Sequence, residues 1–289
     1  MTNRWVVGAR PRTLPAAIVP VVAGTAVAWR QGDVIWWRAG AAAVVALAIQ
    51  IATNYANDYS DGIRGTDDER TGPVRLVASK LATPAQVKRA AFVSFGVAAV
   101  AGLALAAAAG WWLLAVGAVS FLAGWFYTGG SRPYGYAALG EAAVFVFFGV
   151  VATVGSAYVH LGKITLLSVG CSIPVGALAT ALLVVNNLRD IPTDTATDKR
   201  TLAVLLGDDD TRLLYVTLLA LVPGVSTVVL VLGVDEWFLL LAAAAPLAFA
   251  PARTVMRGAR GRDLVPVLGA TGRVQLVYGA LLAAALVLA

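Results

Sequence analysis

Two clusters of amides and carboxylates interrupt an otherwise apolar chain. The stretch "NYANDYSDGIRGTDDERTGPVRLVASK" opens at Asn54, carries Asn57, Asp58, Asp61, Asp67, Asp68 and Glu69, and closes on Lys80. The stretch "NNLRDIPTDTATDKR" opens at Asn186, carries Asn187, Asp190, Asp194 and Asp198, and closes on Lys199 and Arg200. Asn54, Asp58 and Asp61 are spaced i, i+4, i+7 and share one face if the helix before them runs that far. Asp190 and Asp194 are also i, i+4, but Pro192 between them lacks a backbone donor and favours a helix end or restart, which makes Asp190 the firmer candidate. Carboxylates brought together raise one another's pKa and partly neutralise unless a cation lies between them. An all-oxygen donor set without His or Cys suits Mg²⁺, which keeps several waters and completes its shell with phosphate oxygens. Neighbouring Lys and Arg contact the remaining phosphate oxygens. The two clusters together spell a clamp for Mg²⁺ and a diphosphate. Its expected metal ligands are Asn54, Asn57, Asp58, Asp61, Asn187, Asp190 and Asp194, with Asp58, Asp61, Asp190 and Asp194 as the catalytic set.

The elements that must position these residues are membrane helices. Apolar residues make up 59% and charged residues 13% of the 289, and the mean hydropathy is +0.79, well outside the soluble range. Several runs approach the roughly 20 apolar residues that cross about 30 Å of hydrocarbon. They predict nine spans, at residues 14–29, 36–55, 85–108, 111–127, 139–159, 164–185, 213–231, 237–255 and 274–288. The runs show no even alternation, so helices rather than a β-barrel satisfy the backbone, and their small residues permit close packing. The expected fold is an all-α polytopic membrane protein, one domain over residues 1–289, with two similar four-helix halves plus a last helix around a central cavity. The polar clusters then sit at matching ends of spans two and six.

Of the 22 Lys and Arg, 19 fall on the side of the N-terminus and only Arg30, Arg38 and Lys163 on the other. This bias predicts a cytoplasmic N-terminus, an outer C-terminus and both clusters on the cytoplasmic side of the cell membrane. It accounts for the net charge of +6 without a nucleic-acid partner, and a basic face suits anionic lipid headgroups and an anionic substrate alike. The N-terminal stretch lacks an apolar core ending at a small-residue cleavage site, so the first span is expected to be retained. Cys171, the single cysteine, excludes an internal disulfide and reads as a small core residue.

Other polar positions divide between structure and chemistry. Asp208, Asp209 and Asp210 read as acids complementing the N-terminus of span seven. His160 reads as solvated in an outer loop, and the run "FVFFG" as lipid-facing or core packing. Tyr127, Tyr134 and Tyr136 flank the loop after span four, as interfacial anchors or as aromatic faces for a developing cation. Glu141 is a helix-terminal acid or a cavity residue that orients substrate.

With "NDYSD" and "RDIPTD" after spans two and six, the chain resembles the UbiA superfamily of intramembrane aromatic prenyltransferases over most of its length. Within that family, "RPRTLPAAIVPVVAGTA", "NYANDYSDGIRGTD", "YTGGSRPYGYAALGE" and "NNLRDIPTDTATDKRTLAVLLG" resemble the branch that prenylates 1,4-dihydroxy-2-naphthoate. One position departs: where the first motif often ends in Asp this chain has Gly65, with Asp67 two residues on. The resemblance implies a polyprenyl diphosphate with its tail in the apolar cavity and its headgroup on Mg²⁺ at the mouth. It implies attack by the dihydroxynaphthoate carbon bearing the carboxylate, loss of carbon dioxide, and a demethylmenaquinone product. Substrate contacts are expected from Arg10, Arg12, Lys80, Arg132, Tyr134, Glu141, Arg189, Lys199 and Arg200. Arg132, or Arg10 and Arg12, would hold the acceptor carboxylate or the diphosphate. The alternatives are a relative with another aromatic acceptor, a non-catalytic membrane scaffold, or an ion-coupled transporter. Acids confined to one membrane edge weigh against the transporter.

Overall fold

The computed structural model describes residues 3–66, 74–231 and 236–289. Asp67, Asp68, Glu69 and Arg70 of the first cluster lie outside the described residues. The described residues form helices joined by loops: α1 (Arg4–Ala9), α2 (Pro15–Gln31), α3 (Trp36–Arg64), α4 (Pro84–Ala109), α5 (Leu113–Phe126), α6 (Gly140–Leu161), α7 (Leu166–Ala196), α8 (Leu202–Val231), α9 (Glu236–Met256) and α10 (Gly261–Leu288). Each of the nine expected spans falls on one of α2 to α10. Among the described residues, α3, α4, α6, α7, α9 and α10 are long and apolar enough to cross a bilayer, and α1 with α2, bent by 53°, make a seventh candidate. At 14 residues, α5 is shorter. The chain is a multi-pass membrane protein.

Local sequence sets the helix ends. Thr83 and Gln86 form a reciprocal capping box ahead of Pro84, which opens α4, and Thr165 with Ser168 does the same for α7. Gly65 (φ 75°) and Gly162 (φ 65°) close α3 and α6 in the left-handed region. Two helices outrun their hydropathy. α3 continues nine residues beyond Tyr55 to Arg64, and α7 continues past Val185 to Ala196, so both polar clusters begin on helices rather than in loops. Pro192 does not end α7. The hydroxyls of Thr193, Thr195 and Thr197 donate to the carbonyls of Asp190 (3.0 Å), Ile191 (2.7 Å) and Thr193 (2.9 Å) and support the backbone around it. α8 starts upstream of the three Asp and kinks at Gly207 (φ 79°), after which Asp208 pairs with Arg212 at 2.6 Å.

The central helix is α7. Its apolar window is 78% buried, against 28% for α4 and α6, so α7 is wrapped by protein while much of the surface of the other two faces the outside of the bundle or the cavity. One core lies between α2 and α7 to α10 and includes Val19, Leu178, Tyr215 and Tyr278. On the other side, α1 to α7 and the start of α10 surround a cavity of about 1300 Å³. Glycines allow the close crossings. A Cβ at Gly24 of α2 would stand 2.4 Å from the Thr153 carbonyl oxygen of α6, and one at Gly149 of α6 would stand 2.5 Å from the Gly176 Cα of α7.

At the end opposite the polar clusters, Arg38 donates to the carbonyls of Ala108 (3.0 Å) and Val159 (2.7 Å), tying the last turns of α4 and α6. His160 is not solvated. It is buried in the last turn of α6, where its Nδ1 accepts from the Ile35 amide at 3.2 Å, because the loop before α3 folds over it.

The crossing at Gly24 yields a measurable expectation. Gly24→Ala forces α2 from α6 and should cost about 1–3 kcal/mol, lowering the thermal midpoint in detergent by roughly 2–5 °C. Gly40→Ala on α3, where a Cβ meets nothing within 4 Å, should not lower it and should raise it slightly through helix propensity. Equal midpoints for the two variants would show that the close approach does not limit packing.

Candidate active site

The mouth of the cavity is built on the last turns of α3 and α7. Facing the cavity, α3 presents Gln50, Asn54, Asn57 and Asp61, a stripe at i, i+4, i+7, i+11. Asp58 was expected in that stripe but points the other way. Its carboxylate is fully buried and accepts from the amides of Leu76 (2.8 Å) and Val77 (3.0 Å), which fastens the 74–82 loop to α3. Asn57 takes the cavity-facing place, and its Oδ1 accepts from the Thr128 hydroxyl at 2.8 Å. Asn54 donates to the Ala9 carbonyl (2.9 Å) and to the Thr13 hydroxyl (3.0 Å), and so braces the break between α1 and α2.

On α7, Leu183, Asn186 and Asn187 line the cavity, and Asp190 and Asp194 continue the same face beyond it, 3% and 6% exposed. Arg189 does not reach into the cavity. It is buried beside its own neighbour, with Nε and Nη2 each 2.7 Å from the two Asp190 oxygens and Nη2 also donating to Asn186. Lys199, which lines the cavity, lies 3.6 Å from Asp194. Glu141 is buried just beneath, its Oε1 accepting from Asn187 Nδ2 at 2.8 Å, so its place is to orient that amide.

The segment between α5 and α6 joins the two clusters. Tyr136 Oη donates to Asp61 Oδ1 at 2.8 Å, while the Lys199 ammonium lies 5.2 Å from the centre of the same ring. A continuous path therefore runs Asp61, Tyr136, Lys199, Asp194, from α3 to α7. Arg64 holds the segment by donating to the carbonyls of Thr128 and Gly130, and the backbones of Ala137 and Arg200 pair in an isolated bridge. Gly135 is needed because a Cβ would stand 2.5 Å from the Tyr127 carbonyl oxygen. Burial pushes the Tyr134 hydroxyl up to about 12, and that of Tyr136 higher still with help from Asp61, so both stay neutral donors across the physiological range.

Several expected substrate contacts lie elsewhere. Lys80, Arg132 and Arg200 are exposed and do not line the cavity, because the loops that carry them turn outward. Arg10 and Arg12 do line it, as do Tyr127 and Tyr134. The structure adds Arg75, 7% exposed, and Arg262 to the cavity lining, two basic residues that the positive-inside bias does not set apart from the rest. It also corrects the aromatic run of α6: Phe147 and Phe148 are cavity walls, within a π-helical stretch from Phe145 to Val151.

No three His, Cys, Asp or Glu side chains converge as a ready metal cage among the described residues. The donors at the mouth are nevertheless all oxygens, split between two helices, with cations beside them. That set fits a hard ion that keeps waters and takes substrate oxygens, and it does not fit a softer metal.

An intramembrane helical bundle encloses a large apolar cavity that ends at paired Asp and amide groups, a shape that suits a molecule with an apolar tail and a charged head. The UbiA prenyltransferase family matches residues 17–264, and the chain belongs to that family and is a prenyltransferase. It is 55% identical to the 1,4-dihydroxy-2-naphthoate octaprenyltransferase of Mycobacterium tuberculosis, over 98% of this chain and 96% of that one. It is 38% identical to the Escherichia coli enzyme of the same name, over 97% and 92%. Among solved structures it is similar to a UbiA homologue from Archaeoglobus fulgidus bound to DMAPP and Mg²⁺, with a TM-score of 0.68 at 12% identity over 98% and 99% of the chains. It is also similar to an apo UbiA homologue from Aeropyrum pernix, with a TM-score of 0.72 at 13% identity over 92% and 96%.

The geometry separates the two acids of the first cluster. Asp58→Asn leaves one loop amide without its acceptor and should cost about 1–3 kcal/mol, read as a lower thermal midpoint. Asp61→Asn should keep the midpoint within about 2 °C yet lower turnover at least tenfold, of the order found for loss of one electrostatic contact to developing charge. The reverse pattern would exchange their roles.

Proposed function

We propose that the protein transfers a polyprenyl chain from polyprenyl diphosphate to 1,4-dihydroxy-2-naphthoate with loss of carbon dioxide, giving demethylmenaquinone in its reduced, quinol form for menaquinone biosynthesis. It would do so at the cytoplasmic side of the cell membrane as one domain. The observation that carries this reading is the cavity of about 1300 Å³, apolar through the bundle and ending at Asn57, Asp61, Arg75, Asn187 and Lys199. Similarity over nearly the whole chain to two enzymes named for that reaction supports the acceptor.

The donor's tail lies among Val45, Ala46, Leu113, Val116, Phe147 and Phe148, and its diphosphate at the mouth. Asn57 and Asp61 from one side, and Asp190 and Asp194 from the other, would hold Mg²⁺. Asn54 and Asn187, already engaged with Thr13 and Glu141, hold the flanking geometry. When bound, the ion offsets negative charge on the departing diphosphate. Lys199 and Arg75 contact the diphosphate oxygens, and their attraction is stronger at a partly desolvated mouth than in water. As the allylic C–O bond breaks, both its electrons leave with the diphosphate. The faces of Tyr127, Tyr134 and Phe147 shield the developing cation from water and stabilise it by about 1–2 kcal/mol.

The acceptor enters beside Arg10, Arg12 and Arg262, which neutralise its carboxylate. The ring carbon bearing that carboxylate forms the new C–C bond. The bond to the carboxylate carbon then breaks, its electrons restore the aromatic ring, and carbon dioxide departs, so no base is required at that carbon.

The test is purified protein in detergent with labelled polyprenyl diphosphate, Mg²⁺ and a panel of dihydroxynaphthoate, hydroxybenzoate and other aromatic acids, scoring prenylated product and carbon dioxide together. Equal release of both with dihydroxynaphthoate is expected, abolished by EDTA. Preference for another acceptor would overturn the naphthoate assignment. Lys199→Ala should raise the apparent KM for the diphosphate at least about fivefold, whereas the outward-turned Lys80→Ala should not change it.

A further inference from the structure

We infer that Gln50 of α3 selects the acceptor, its Oε1 accepting a hydrogen bond from a ring hydroxyl while Arg10 holds the carboxylate. The inference rests on the naphthoate reading and names a specificity-determining residue within it. Gln50 is 7% exposed and lines the cavity one helical turn further from the mouth than Asn54. Its Nε2 donates to Thr13 Oγ1 at 3.2 Å and to Asn54 Oδ1 at 3.3 Å, which uses both amide hydrogens. The oxygen is left over, since no group among the described residues donates to it.

Backbone carbonyls fix which way this amide points. Asn54 Nδ2 donates to the Ala9 carbonyl at 2.9 Å and to Thr13 Oγ1 at 3.0 Å, so Asn54 Oδ1 turns to Gln50 and needs a donor there. Thr13 spends its own hydrogen on the Arg10 carbonyl at 3.0 Å and receives the two amides on its two lone pairs. With Thr13 filled and both amides out of hydrogens, the one oxygen of the network without a donor is Gln50 Oε1. The same network aims Arg10. That residue takes a left-handed backbone (φ 52°), uncommon for any residue with a side chain, and Asn54 and Thr13 hold it through the carbonyls of Ala9 and Arg10. Its Nη2 lies 3.3 Å from the Asn54 carbonyl oxygen, beside Gln50.

A carbonyl in an apolar cavity is costly to leave without a donor, and only one of the two reactants can supply it. The prenyl donor has a hydrocarbon tail and an ionised head of acceptor oxygens, and so has no hydrogen to give. Gln50 lies seven residues from Asn57 and eleven from Asp61 along α3, roughly 10 and 16 Å, so water on a metal at the mouth does not reach it. The dihydroxynaphthoate has two hydroxyls. The one ortho to the carboxylate donates internally to it, as in any salicylate, and the one meta to it is free to donate outward. Arg10 beside Asn54 and Gln50 one turn away are separated by about 5.4 Å along the helix, a span that one aromatic ring bridges from carboxylate to meta hydroxyl. Gln50 thus favours acceptors that carry that second hydroxyl.

The test measures the affinity of wild type and Gln50→Leu for 1,4-dihydroxy-2-naphthoate, 1-hydroxy-2-naphthoate and 1-hydroxy-4-methoxy-2-naphthoate, together with prenylation of each. Wild type should bind the dihydroxy compound at least about tenfold more tightly than the other two, which lack the donated hydrogen. Gln50→Leu should bind all three within about threefold of one another, with the KM for polyprenyl diphosphate within about threefold of wild type. A purely structural role for Gln50 would weaken all three equally, since all share the carboxylate, and would leave the preference in place. A preference that survives in the variant, or that wild type lacks, therefore overturns the assignment. Gln50→Met, unbranched like Gln, repeats the comparison if Gln50→Leu fails to insert, and the wild-type arm needs no variant. Prenylation of dihydroxynaphthoate with no preference for its second hydroxyl overturns Gln50 alone, whereas no prenylation of it by wild type overturns the acceptor reading and this assignment with it.

Discussion

Four carboxylates at the edge of a membrane bundle, Asp58, Asp61, Asp190 and Asp194, are each 6% exposed or less, and the cost of desolvating them shapes this end of the protein. An isolated buried carboxylate loses several kcal/mol of hydration even after relaxation. Each is given a specific compensation: two loop amides for Asp58, a tyrosine hydroxyl for Asp61, a bidentate arginine for Asp190 and a lysine for Asp194. Those partners come from loops and from the neighbouring residue. The loops over the mouth are thus held against the acids whose burial they compensate.

Tyr136 shows how few atoms this takes. Its hydroxyl meets α3 and its ring meets Lys199 beyond α7, so one side chain spans the gap that a charged headgroup would enter. Below it the walls turn apolar, through Phe147, Phe148, Val116 and Leu113 to Val21, Ala42, Leu105 and Val159. That gradient suits a molecule with a charged head and a hydrocarbon tail, and it strengthens every electrostatic contact at the head by excluding water from below.

Much of the site was legible because polar residues in a chain with 13% charge are conspicuous. What misled was rotation about helix axes. Asn54, Asp58 and Asp61 do share a face at i, i+4, i+7, but Asn54, Asn57 and Asp61 share one equally well at i, i+3, i+7, and only packing against the 74–82 loop assigns Asp58 to structure. Arg75 and Arg262 were hidden among basic residues that the positive-inside bias already explained. Phe147 and Phe148 looked like any lipid-facing aromatics. Lys80, Arg132 and Arg200 looked like phosphate contacts through adjacency in sequence, which says nothing about which way a loop turns.

The amino-acid sequence by itself determined that the chain is a helical membrane protein, that its chemistry gathers at one end, and that this chemistry is oxygen donors beside cations. Hydropathy, composition and residue type carry that information locally. Tertiary packing sets the rest: α7 runs through Pro192, Asp194 stays on the face of Asp190, and Asn57 rather than Asp58 faces the cavity. Each of these depends on which surface of a helix meets its neighbour and on hydrogen bonds between residues far apart in sequence, quantities that a periodic pattern leaves open.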